Sequence, residues 1–147
     1  MKGQDIAYAA AGFAVVYLVS KLFTDSEDDK AAERFVGLWE LSDPDPLMRG
    51  LREGKVTAKQ LAALAANVDV AARIGRAVAQ LQNAPGTFND DEAAAASAVM
   101  FGNYPEQLAF GSTFKRVTGK TALAYLVDFL GDTDSRAMIV RHIEGLR

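Results

Sequence analysis

Between Thr57 and Gln82 the apolar side chains fall into one step. Leu61, Leu64, Val68, Ala71, Ile74, Val78 and Leu81 recur at spacings of three and four. That is the period of one face of an α-helix, whereas a half-buried strand would alternate with period two. Lys59, Asp69, Arg73 and Arg76 fall mainly off the stripe, and Asp69 and Arg73, four apart, are spaced to pair. The same step returns in shorter segments, and no run of credible length alternates with period two. The expectation is an all-α chain without a sheet.

Helix-stopping residues divide the rest. Phe35, Leu38 and Trp39 share a face, and "SDPDP" at 42–46 ends that segment because proline cannot continue a helix. Asp45 before Pro46 reads as a cap followed by a preorganised first residue, and the short helix carrying Leu47, Met48 and Leu51 stops at Gly54. Asp28 or Asp29 is expected to cap the helix before it, and Thr57 the long one. Four short helices follow: 90–101, one from Pro105 to Gly119 with Phe110, Phe114 and Val117 on one face, 121–130, and a last one capped by Asp134 with Met138, Ile139, Ile143 and Leu146 inward.

The amino-terminal part differs. From Ile6 to Ser20 there is no charged residue, and if Lys21 snorkels, Leu22 and Phe23 extend the apolar span to residues 6–23. That is about 27 Å of helix, close to the ~30 Å of a bilayer core. A cleaved signal peptide would want a denser basic start and a small-x-small cleavage site; a buried core helix is the other alternative. The reading taken is a single membrane anchor over residues 1–23. Residues 24–56 follow as a linker with short amphipathic helices, and a helical domain spans 57–147. Lys2 precedes the span and four acids follow it, which places the amino end on the cytoplasmic or internal side.

Composition removes several classes. The net charge of −3 argues against nucleic acid as a partner, since phosphates need clustered positive charge. Without cysteine there is no disulfide or thiolate chemistry, and a single histidine, His142, excludes multi-histidine metal sites. His142 is read as a surface residue near a helix end. No nucleophile elbow, phosphate loop or zinc pattern occurs, so no enzyme is expected. A lytic muramidase using Glu33 and Glu40 as its carboxylates is the catalytic alternative.

The stretch "PGTFNDDEAAAASA", residues 85–98, supports two readings. Asn89 with Glu92 three residues on makes a capping-box-like start, Phe88 stands where a staple residue would, and Asp90, Asp91 and Glu92 suit the positive end of a helix dipole. The second reading comes from a resemblance. Gly86-Thr87, the acids at 90–92, "NYPEQL" at 103–108 and "FKRVTGKTAL" at 114–123 stand in the order of an annexin-type repeat, and residues 57–147 resemble one such repeat. The resemblance implies a bundle of about five helices. It also implies a calcium site using the carbonyls of Gly86 and Thr87 and the distant carboxylate of Asp128. Ala84 stands where the family has its first glycine, Pro85 follows it, Phe88 and Asn89 look inserted, and one repeat replaces the usual several. The expectation is therefore no cofactor, with calcium as the alternative. The "FNDDE" variant behind a short anchor also resembles small proteins encoded by bacteriophages, including tailless ones with an internal membrane. The expected role is a non-enzymatic, membrane-anchored virion protein that links the lipid layer to capsid or vertex proteins. The alternatives are an envelope adaptor with calcium-dependent binding and a lytic accessory protein.

Overall fold

A computed structural model describes residues 27–86 and 90–147. All regular structure among them is helical. Residues 27–34 form α1, followed by a 3-10 turn at Phe35–Gly37, α2 at Trp39–Ser42, α3 at Pro46–Arg52, α4 at Ala58–Ala66 and α5 at Val68–Asn83. A 3-10 turn at Ala84–Gly86 precedes α6 at Asp90–Ala98, α7 at Tyr104–Thr118, α8 at Ala122–Phe129 and α9 at Thr133–Leu146. The proposed anchor lies outside the described residues, and no described helix is long and apolar enough to cross a membrane.

The sequence suggested about seven short helices, and two of its segments are cut. The stripe from 57 to 82 breaks at Asn67, whose backbone is extended at φ −97° and ψ 102°. The Asn67 side chain accepts the Val70 N–H at 3.1 Å, capping a new helix where the old one would have continued. Past the break Ile74, Val78 and Leu81 turn inward as the stripe implies and are joined by Val70 and Ala77, while Val68, expected on the stripe, is 80% exposed and Ala71 is exposed too. The second cut is the 3-10 turn at Phe35–Gly37, which separates α1 from α2.

Several caps are as expected. Asp45 accepts the Met48 N–H with Pro46 at the first helical turn, and Thr57 and Gln60 form a complete capping box. Others differ. Asp28 and Asp29 lie within α1 rather than capping it. Asp132, not Asp134, caps α9, accepting the N–H groups of Asp134 and Ser135, because its carboxylate stands before the first turn. Val117 and Met138, expected inward, are 56% and 41% exposed.

Helix α7 is central and packs against α2, α3, α4, α5, α8 and α9. Its glycine at 111 permits this closeness. A Cβ there would stand 2.8 Å from both the Glu40 carbonyl oxygen and Pro46 Cγ. Phe110 and Phe114 of α7 join Phe101, Tyr125 and Phe129 in a run of ring contacts with centroids 5.3–6.3 Å apart. Ala31, Phe35, Leu38 and Leu41 share one core with Leu81, Leu126, Ile139 and Ile143, so residues before 57 complete the interior of the helices that follow. Full burial of such side chains stabilises by about 1.5–3 kcal/mol each. Ion pairs from Arg34 to Glu144 and from Arg141 to Asp28 tie α1 to α9.

Candidate functional site

The expected calcium corner is only partly described. Gly86 is exposed at the end of its 3-10 turn, Asp128 is exposed on α8, and Thr87, with the proposed cap Asn89 and staple Phe88, lies outside the described residues. The acid whose charge reaches the start of α6 is Asp132. Partial burial, then the neighbouring charges of Asp90 and Asp132, raise the Asp91 carboxyl. Among the described residues no three acids or histidines stand close enough to hold a metal ion.

The most organised polar group lies elsewhere. Glu40 has no solvent exposure although it carries a charge. Its position follows from α2, a single turn set between the buried Leu38 and Leu41, which carries the carboxylate inward with them. Tyr104, at the start of α7, donates its hydroxyl to Glu40 Oε1 at 2.9 Å. Arg147 closes the group, with Nε 2.5 Å from Oε1 and Nη2 2.8 Å from Oε2. This paired geometry is what a guanidinium offers a carboxylate. Burial pushes the Glu40 carboxyl up, but the hydrogen bonds from Arg147, its own N–H and Tyr104 outweigh burial and hold it below the usual glutamate range. Burial and the Glu40 charge raise the Tyr104 phenol in turn.

Two further cations rest on Trp39, beside this group. Trp39 meets Tyr104 edge-on at 6.4 Å, the Arg49 guanidinium lies 4.8 Å from the Trp39 centroid, and Lys55 Nζ lies 5.2 Å from it. Arg49 is matched by Asp43 at 3.2 Å and Glu53 at 3.1 Å. A tight loop presents Lys55. Gly54 takes φ +74°, and the N–H groups of Lys55 and Val56 both donate to the Gly50 carbonyl, at 2.8 and 3.1 Å. Val56 anchors the loop by packing with Tyr104 and Leu108. Lys55, Tyr104 and Arg147 line a cavity of about 300 Å3.

The "NYPEQL" turn at 103–108 is also structural in its contacts. Asn103 caps α7 and accepts the Glu106 N–H. Glu106, 5% exposed, accepts hydrogen bonds from Arg73 and from the Gly102 N–H. Arg73 thus reaches across to Glu106 instead of forming the expected pair with Asp69. Both polar side-chain atoms of Gln107 are buried without a protein partner. His142, expected at the surface, is half-buried, with Nε2 2.8 Å from the Phe101 carbonyl oxygen.

Of the two carboxylates weighed for catalysis, Glu33 is exposed on α1 and Glu40 is enclosed on α2. Sequence reasoning missed Tyr104 and Arg147 as partners of Glu40. The one local signal was an acid inside the apolar run "GLWEL". Compared with known proteins, the chain matches no family model, no curated protein and no solved structure.

Proposed function

We propose that the chain is a non-enzymatic, membrane-anchored structural protein of a membrane-containing bacteriophage virion. Residues 6–23 would hold it in the lipid layer, and the helical domain would bind a capsid or vertex protein. The observation that supports a docking role is the face of α4 and α5. Helix α4 has a complete capping box yet no buried residue, and Leu61, Leu64, Ala71, Gly75, Thr113 and Arg116 are among the residues lining an apolar groove of about 400 Å3. Arg116 has no carboxylate partner among the described residues. The occupant that fits is an amphipathic helix of the capsid or vertex protein, with aliphatic side chains in the groove and a carboxylate against Arg116. Residues 57–147 form six helices, α4 to α9, where the annexin-type resemblance implies a bundle of about five.

Two measurements test the proposal. Purified particles should contain the protein, and cross-linking should join it to a capsid or vertex protein through α4 or α5. An Ala71→Glu change in the groove should abolish the cross-link. Absence of the chain from particles rejects the virion role. Separately, Val15→Asp with Val16→Asp should release the protein from the membrane fraction, since each acid near a bilayer centre costs about 2.5–3.5 kcal/mol.

A further inference from the structure

We infer that the cavity beside Trp39 binds a phosphate-type oxyanion. Its wall is made of Lys55, Tyr104 and Arg147, and among the described residues no acidic side chain lines it. The nearby acids are already engaged. Glu40 is held by Arg147 and Tyr104, Asp43 and Glu53 by Arg49, and Glu144, whose charge also reaches Arg147, by Arg34.

The two cations facing the cavity keep donors in reserve. Arg147 gives Nε and Nη2 to Glu40, and its Nη1 makes no hydrogen bond among the described residues. Among the described residues Lys55 rests on the face of Trp39 and pairs with no carboxylate. A cation resting on an aromatic ring, with no carboxylate, holds its three N–H donors ready for an incoming anion. The buried Glu40 fixes the guanidinium in place, so Nη1 is positioned before any ligand arrives. Tyr104 spends its proton on Glu40 and serves as a wall. A tetrahedral oxyanion, with oxygens pointing in several directions, can accept from the free Nη1 of Arg147 and the Lys55 ammonium together. The phosphate could be a phospholipid headgroup or a free ion.

Trp39 is the only tryptophan in the chain, so its fluorescence reports on this site alone. The full-length protein in a neutral maltoside detergent is titrated with sodium phosphate, with sodium chloride holding the ionic strength constant. In a second arm it is placed in phosphatidylcholine vesicles with or without phosphatidylglycerol. Withdrawal of the Lys55 ammonium from the ring should give a saturable change in emission. Lys55→Gln should bind about tenfold or more weakly, as loss of a charge-assisted hydrogen bond implies, and Lys55→Arg should restore binding. Lys55 is exposed, and unchanged circular dichroism would confirm that each variant is folded. A response to phosphate alone supports a free ion, and a response that requires phosphatidylglycerol supports a headgroup. The inference is overturned if neither arm gives a saturable change, or if Lys55→Gln responds as the wild type does.

Discussion

Arg147 and Glu40 stand 107 positions apart in the sequence and share two hydrogen bonds, of 2.5 and 2.8 Å, around a carboxylate with no solvent exposure. The pair fastens α2 to the end of α9. Arg147→Met would leave Glu40 buried without its counter-charge, and the domain should lose about 3 kcal/mol, the low end for a broken buried pair because the Arg147 side chain is 37% exposed. Replacing both residues with methionine should cost less than the sum of the single changes. Urea unfolding of the four proteins measures the coupling, and strictly additive costs would show that the pair is energetically idle.

The same pair predicts an acid limb. The folded Glu40 carboxyl titrates below its unfolded value. Its stabilisation is therefore complete above the unfolded value, about pH 4.3, and is lost as pH falls through the folded one. Asp132, held low chiefly by the Ser135 hydroxyl, acts with the same sign. Stability should drop on acidification below that range, and Glu40→Gln should flatten the drop. Melting temperature against pH for the two proteins reads this directly.

Two glycines should respond oppositely to alanine. At Gly111 the new methyl would meet the Glu40 carbonyl oxygen and Pro46 at 2.8 Å, and Gly111→Ala should destabilise by about 1–3 kcal/mol. At Gly75 a Cβ meets nothing within 4 Å, and Gly75→Ala should stabilise by about 0.5–1 kcal/mol through helix propensity. Equal effects at the two sites would contradict the packing of α7 on α2 and α3.

The break before α5 rests on a cap. Asn67→Ala should cost about 0.5–2 kcal/mol, and Asn67→Asp, which keeps the acceptor for the Val70 N–H, should cost less. Chemical denaturation compares them.

Calcium should not stabilise the domain appreciably. A ligand at a hundred times its Kd adds about 2.7 kcal/mol, readily seen in a melt. A calcium-dependent rise that chelator reverses and Asp128→Asn removes would establish the corner as a metal site instead.

The sequence made the helical class legible because spacings of three and four survive local accident. Phe110, Phe114, Leu126 and Ile143 are all enclosed as that pattern implies. Asp45, Thr57 and Gly119 also announced their helix ends, since caps depend on neighbours within a few residues. The break at Asn67 was hidden because an asparagine inside a stripe is tolerable until its side chain turns to the backbone. Glu40, Tyr104 and Arg147 were illegible as a group. Nothing local joins residues 64 and 107 positions apart, and only the packing of α7 and α9 brings them together. For the same reason Lys55 looked like any loop lysine.

The tie between α2 and the end of α9 has a consequence for synthesis. A nascent chain emerges amino end first, and Glu40 then waits 107 residues for Arg147. At about 5–20 residues per second that interval is roughly 5–20 s. During it the α2 carboxylate must stay hydrated, so the early helices cannot settle into their final interior. The domain therefore closes as one late, cooperative event once α9 is available, and chains halted before α9 should be targets for chaperones and proteases.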